Sequence, residues 1–500
     1  MAGLKTLVKY KPMSFQKVII LNFPKIALES PPLAPAILSS ICDSLSIEHD
    51  FIDCNLELHE QLQGGIKEEI LARYAERFVD HISEEARYHL YKYFDQLANR
   101  CCHYDLIAIS VFSVHSVVLT HDFLSRYRHD LDAKVVIGGA GIRSNGIGDA
   151  TRSCHEPFYK TLHEQNLIDY WVLGEGEEAF RKILMKDTDC DIINNNQFNS
   201  LEDFNLVPIP NFDKYCLEKY MVSGKKIAPI EGSRGCVKKC TFCDINQTWG
   251  KFKYKDGEKL AKEIVFLQNK YDIDHFWFND SLINGSMKSF REFTDCLANT
   301  RPDNLTWSSQ AIVRPKSAQD RKDFDLMKRS GCNALAVGLE SFSERARFHM
   351  GKKFTDEDLA SFMTLAQEFS ISVILLLIVG YPIETQEDID QAFVQLEKYS
   401  YLADDGTISF LRIGNTMSII PDTPIWHQLD KLGIELDSSQ ASNIFWKKGY
   451  ENTLEKRIQW RMDLEDYARS LGYNCLDKEM HAEQTLMQLI KNLNEKSATA

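Results

Sequence analysis

No stretch of this 500-residue chain stays apolar long enough to cross a bilayer: the longest run, Ile371 to Gly380 (ISVILLLIVG), is ten residues, against the ~20 a spanning helix needs. It reads as a buried strand, and no membrane partner is expected. The N-terminal residues MAGLKTLVKYKPMSFQKVIILNF have no long apolar core ahead of a small-residue cleavage site, so no secretory signal is expected either. A disulfide framework is lacking, because the 13 cysteines are odd in number and scattered. These absences together predict a protein of the reducing cytoplasm. Positive charge is scarce, 58 Lys and Arg against 72 Asp and Glu for a net −14, which argues against nucleic acid held over the whole surface. Repeats and low-complexity tracts are missing as well, and only the terminal KSATA reads as frayed.

What is present is ordinary globular material, 44% hydrophobic and 26% charged, enough for two to four domains of ~100–200 residues. Apolar runs at Lys17–Phe23, Asp50–Asp53, Asp105–Val111, Lys134–Gly138 and Tyr170–Leu173 alternate with helix-length segments, Ile66–Ala98 among them. That alternation predicts an α/β domain over 1–193 with a parallel sheet covered on both faces. Asn- and Pro-rich residues 194–224 read as a linker. Six further strands are expected at Ile227–Gly232, His275–Asn279, Leu305–Ser309, Ala334–Leu339, Ser372–Val379 and Thr407–Arg412. With their connecting helices they suggest a partial (β/α)6 barrel of the TIM type over 225–430, whose chemistry would sit at the strand C-termini. Residues 431–500 read as a C-terminal helical region, a cap for the barrel mouth.

Directly after the first of these six strands comes GSRGCVKKCTFCDI, with Cys236, Cys240 and Cys243 in CxxxCxxC spacing. Three thiolates hold three corners of a four-iron four-sulfur cluster that normally takes four, leaving one iron open. A structural zinc ion wants four ligands, and the nearest further Cys or His residues are Cys216 and His275. The window Lys225–Lys255 carries eight basic residues against Glu231 and Asp244, a local +6. It reads as a solvated loop balancing an anionic cluster, or as a mouth attracting an anionic substrate.

The triplet, with the aromatic Phe242 just before the third cysteine, resembles the signature of the radical S-adenosylmethionine (SAM) superfamily. The resemblance implies that the open iron chelates SAM and that one electron splits SAM to methionine and a 5'-deoxyadenosyl radical. It extends over the barrel: Asp280 in FNDSLING for the SAM amino group, Gln310 and Arg314 in WSSQAIVRP for its carboxylate or ribose, Glu340 and Ser341 in VGLES for its ribose and methionine end, and Gly380 in VGYPIET for close approach of adenine. Phe242 would pack near adenine. Thr385 with Asp388 also reads simply as a helix N-cap. An external electron donor such as flavodoxin or ferredoxin is implied, acting on a small-molecule or peptide substrate.

The N-terminal domain resembles the doubly wound, Rossmann-like, cobalamin-binding-like domain of one branch of this superfamily. The matching pieces include AISVFS with Ser110 and Ser113, and VVIGGAG with Gly138 and Gly139. DxHxxG, whose histidine ligates cobalt in other cobalamin domains, does not occur in the chain. His59 and His115 read as ordinary surface or packed residues. The resemblance implies cobalamin-dependent methylation of an unactivated carbon, and without that histidine the domain also reads as a Rossmann-like scaffold or substrate shell. The alternatives are a cobalamin-independent rearrangement or oxidation, or a methylthiotransferase using Cys42, Cys54, Cys101 and Cys102 for a second cluster; a non-enzymatic metal-binding module ranks last.

Overall fold

Val-, Ile- and Leu-rich runs too short for helices become the strands of two sheets. The computed structural model describes residues 14–475 apart from 25–27, 29, 63, 67–68, 71–81, 113, 144–156, 188–191, 198, 223 and 438–443. The chain divides into two compact units, Met1–Ile230 and Glu231–Ala500. Among the described residues, no helix is long and apolar enough to cross a membrane.

The first unit is built on β1 (Lys17–Asn22), β2 (Glu48–Asp53), β3 (Leu106–Ser110), β4 (Lys134–Gly138) and β5 (Tyr170–Val172). All are parallel, in the order β2-β1-β3-β4-β5. This is a doubly wound order that reverses between β1 and β3, the crevice where such sheets take ligands. Val18 to Leu21 and all of β3 are buried, as a sheet covered on both faces requires. Phe94, on the helix Glu84–Cys101, meets Phe23 and Phe123 within the core. Ser83 caps that helix by accepting from the Ala86 N–H; the earlier part of the helical stretch expected from Ile66 includes residues outside the described ones. The segment expected to be a linker is packed structure: Phe204, Val207, Phe212, Leu217 and Tyr220 are all buried. Tyr220 donates its hydroxyl to Asp53, which also accepts from Asn22 at 3.1 Å and from the Asn55 N–H at 3.0 Å.

The second sheet has seven strands: β6 (Met221–Val222), β7 (Lys225–Ile230), β10 (His275–Phe278), β11 (Thr306–Ala311), β12 (Cys332–Glu340), β13 (Ser372–Val379) and β14 (Ile408–Thr416). Their order is β14-β13-β12-β11-β10-β7-β6, and every pairing from β10 to β14 is parallel. The short strands β8 (Ser233–Arg234) and β9 (Lys253–Tyr254) pair antiparallel, as do β15 (Glu435–Leu436) and β16 (Trp446–Lys447). Trp307 packs edge-on against Phe278 and against Phe293 of the helix Met287–Thr300, so it points to the outer helical layer. Alternation then turns Gln310 to the opposite, concave face. In register with it across the sheet lie Ala336, Ile374 and Phe410; one step further lie Gly338, Leu376 and Arg412.

The C-terminal helix, Leu454–Ser470, starts at Thr453, whose side chain accepts from the Lys456 N–H. It packs beside β14 and the helix Gln386–Asp404. Trp460 donates to Gln386 at 2.8 Å, Tyr467 meets Phe393 edge-on, and Tyr473 donates to the Leu396 carbonyl at 2.7 Å. Beyond it, the Asn474 carbonyl accepts from the Leu411 N–H of β14 at 3.0 Å, and the Asn474 amide reaches the Ser409 carbonyl at 3.4 Å.

Candidate functional site

The cysteine loop leaves the C-terminal end of β7 and is fixed on every side by groups remote in sequence. At its start, buried Asp280 accepts from the Gly232 N–H at 2.8 Å and the Ser233 hydroxyl at 2.6 Å. Burial pushes the Asp280 carboxyl up to about 8, against the two hydrogen bonds. Gly235, at φ +80°, lets the chain turn against Lys251 and Phe252. Between the second and third cysteines, Thr241 receives three contacts. Its N–H donates to the Met350 carbonyl and its carbonyl accepts from Ile425, both at 2.9 Å, and its hydroxyl meets that of Tyr381 at 2.7 Å. Tyr381, fully buried, shares its hydroxyl with His349 Nδ1 at 2.8 Å.

Cys240 is buried, and Cys236 and Cys243 are half-buried. Burial pushes the Cys240 thiol up to about 11 and raises that of Cys243. The neighbouring thiols add to this, while Lys352 opposes it at both. The three sulfurs therefore share one electrostatic neighbourhood, in which a metal's charge is what would keep them deprotonated. The Lys238 N–H also points at Cys236 Sγ, at 3.4 Å. Among the described residues, no three His, Cys, Asp or Glu side chains converge as the ligands of a single ion do. Thiolates at separate corners of a cluster need not converge on one point, so this donor set fits a cluster better than a lone tetrahedral ion.

The other expected site residues divide by where their side chains go. Glu340 sits on the concave side at φ +65°, a left-handed conformation strained for any residue but glycine. It pairs with Lys352 at 2.8 Å, and both side chains are largely shielded from solvent. Gly338 makes room for the pair: a Cβ there would lie 2.3 Å from Glu340 Oε1 and 2.6 Å from Lys352 Nζ. Gln310 is exposed on the concave face. Phe242 is partly buried against an apolar cluster that includes Met350, Tyr381, Ile425 and Trp446.

Four of the expected positions are engaged by other parts of the protein. The Asp280 carboxylate is occupied by the loop itself. Ser341 is buried and donates to Glu384 at 2.6 Å, tying the loop after β12 to the one after β13. Arg314 reaches the Asn284 carbonyl and lines an outer-layer cavity with Phe290, Phe324 and Phe362, on the far side of the sheet from the concave face. Gly380, at φ +83°, makes room for protein: a Cβ there would lie 2.1 Å from Arg457 Cδ. Buried Arg457 stacks on Trp446 at 3.7 Å and donates to the carbonyls of Ile444 and Trp446 at 2.8 and 3.0 Å. Thr385 and Asp388 do form a capping box. The basic window is also weaker than its count, since Lys226, Arg234 and Lys255 each face an acid, Glu218, Glu231 and Glu263.

In the first unit, Ser110 and Gly138 are register partners at the ends of β3 and β4. Gly139, at φ +104°, is exposed, and a Cβ there would lie 2.5 Å from the Val111 carbonyl oxygen. Phe112 beside it is 65% exposed. Gly139 and Phe112 thus form an exposed ledge at these strand ends, with Ser110 buried beneath it. Ser113 and the His115 side chain lie outside the described residues. Cys54 and Cys101 are wholly buried in the apolar core, and burial pushes Cys42 and Cys101 up to about 12; these thiols are core residues rather than an open ligand set. Lys352, Tyr381, His349 and Arg457 went unnoticed in the sequence. The contacts that give them meaning join residues as far apart as Thr241 and Tyr381, and no local spacing marks them.

Residues 230–396 match the radical SAM superfamily. An uncharacterized methyltransferase of Pyrococcus horikoshii is 25% identical over 246 residues, 46% of this chain and 53% of the relative. The anaerobic magnesium-protoporphyrin IX monomethyl ester cyclase of Synechocystis sp. is 25% identical over 336 residues, 61% of this chain and 66% of the cyclase. The chain thus spans between about half and two thirds of these curated relatives. The fold is similar to that of the radical SAM methyltransferase TsrM from Kitasatospora setae, solved with cobalamin and a [4Fe-4S] cluster: TM-score 0.61, 15% identity, 93% of this chain and 90% of that one.

Proposed function

We propose that this chain, whose residues 230–396 are a radical SAM domain, is a radical SAM enzyme that methylates an unactivated carbon with the help of cobalamin. The observation that carries the reading is the three-thiol loop held at the C-terminal end of a parallel half-barrel, with an ion pair and a concave face before it. Cys236, Cys240 and Cys243 would hold the cluster, and the ledge at Ser110, Gly138 and Gly139 the corrinoid. When bound, the cluster supplies one electron to cleave SAM into methionine and a 5'-deoxyadenosyl radical, and cobalamin supplies a transferable methyl group.

The chain's own residues position and enclose. Asp280, Met350, Tyr381 and Ile425 fix the loop so that three thiols enter at set places. Glu340 and Gln310 stand on the concave side, where they can meet the polar groups of SAM, and Phe242, next to the third cysteine in the chain, packs against the apolar cluster behind the loop. Gln310, Ile374, Leu376 and Phe410 floor the concave face, and Arg412 is exposed on it. That lining suits a largely apolar small molecule or peptide.

The test is anaerobic reconstitution with iron and sulfide. The expected results are visible thiolate-to-iron absorbance and 5'-deoxyadenosine from SAM after reduction, both lost in Cys240→Ala. Retention of both in Cys240→Ala would refute the reading. The similarity also extends to a protein named as a cyclase, so the second version is a cobalamin-independent rearrangement or oxidation; failure to retain corrinoid after loading with hydroxocobalamin would select it.

A further inference from the structure

We propose that Lys352 and Glu340 form a built charge pair that sets the reduction potential of the cluster, Lys352 raising it and Glu340 lowering it. This rests on the reading above, that Cys236, Cys240 and Cys243 hold a cluster.

Three independent contacts put the pair there. The Met350 carbonyl accepts from the Thr241 N–H at 2.9 Å. Gly351 lies against the loop, so that a Cβ would come within 3.1 Å of the Lys239 carbonyl oxygen and 3.4 Å of Cys240 Cα. From this anchored turn Lys352 directs its ammonium over Gly338, on the concave face, to meet Glu340 at 2.8 Å. The pair is largely shielded, with side-chain exposures of 13% and 12%, so its field is screened less than that of a surface pair. The backbone cost of holding Glu340 at φ +65°, and the bare Gly338 beneath, show that the fold accommodates this arrangement at some expense.

Reduction adds one electron to the cluster and transfers no proton, so the site becomes one charge more negative. A cation beside it favours the reduced form and an anion the oxidised form; net charge near a cluster is a principal control of its potential. The pair is nearly balanced as it stands. Removing either partner leaves the other's charge uncompensated, and the two removals act in opposite directions. Lys352 is thus a positioning and tuning residue: its role is read in a potential, not in contact with substrate.

The experiment is an anaerobic dithionite titration of reconstituted protein without SAM, followed by the low-temperature paramagnetic resonance of the reduced cluster. Lys352→Gln is expected to weaken reduction about tenfold, about 59 mV for one electron, Glu340→Gln to strengthen it, and Lys352→Arg to stay near the parent value. If Lys352→Gln takes up no iron, Glu340→Gln carries the test with the opposite sign. Shifts of the same sign in both neutral variants, or none in either, with the parent protein holding its cluster, would overturn this proposal alone. A parent protein that takes up no iron would overturn the underlying reading with it.

Discussion

Replacing Gly380 by alanine should damage the second unit far more than one methyl group suggests. Its φ of +83° costs an L-residue about 1–2 kcal/mol. The added Cβ would also lie 2.1 and 2.3 Å from Cδ and Cγ of Arg457, and one of them must move. Arg457 has nowhere to go. Its guanidinium is held by the Ile444 and Trp446 carbonyls at 2.8 and 3.0 Å and by Asn452 Oδ1 at 3.1 Å, and it stacks on Trp446. Burial is deep enough to bring its pKa down to about 9. Losing one such charged hydrogen bond costs about 1.5–3 kcal/mol, so the sum is about 3–5 kcal/mol. At about 2–4 °C per kcal/mol for a unit of this size, the melting temperature should fall by about 10 °C. Gly433→Ala is the control: φ is +65° and nothing lies within 4 Å of its Cβ, so it bears the backbone cost alone. Thermal melts of both variants, repeated in an Arg457→Ala background, separate the two contributions. The reasoning is refuted if Gly380→Ala costs no more than Gly433→Ala, or costs the same once Arg457 is gone.

Two further outcomes follow from the loop after β13. Burial raises the Glu384 carboxyl to about 7, despite hydrogen bonds from Ser341 and from the Gly380 and Tyr381 N–H groups. A carboxyl raised in the folded state favours folding while protonated, so its contribution, at most about 3 kcal/mol, is complete below the ordinary glutamate range and fades as pH rises to about 7. Glu384→Gln keeps the contacts of the neutral form, so parent and variant melts should diverge between pH 5 and pH 8, the parent losing more; a constant gap would count against it. Tyr381→Phe should cost about 1–3 kcal/mol by leaving the Thr241 hydroxyl and His349 without their shared partner. Denaturation of the single variant and of Tyr381→Phe with Thr241→Val checks this: additive losses would show that the two hydroxyls are not coupled.

The strands were legible because each is a short β-branched or leucine-rich run between helix-length segments, and the periodicity places Ser372–Val379 without ambiguity. The cysteine loop was legible because its chemistry is local. Side-chain direction at the strand ends was not. β12 carries a register shift between Gly338 and Glu340, and such a shift changes which neighbour points inward. Glu340 consequently faces the concave side while the adjacent Ser341 turns to Glu384. The same limit applies to Gly380. The sequence announces that something approaches it closely, but only the packed structure shows that an arginine from the C-terminal helix does so.

The two hydrogen bonds between Asn474 and β14, at Leu411 and Ser409, have a consequence for how this chain can be handled. β14 is the terminal strand of its sheet, and an uncovered terminal strand offers its amides and carbonyls to the next chain that drifts alongside. A recombinant form shortened to the end of the helix at Ser470 would keep every residue of the proposed site and lose that cover. It should self-associate strand to strand, so any shortened form made for crystallisation or assay has to retain Asn474.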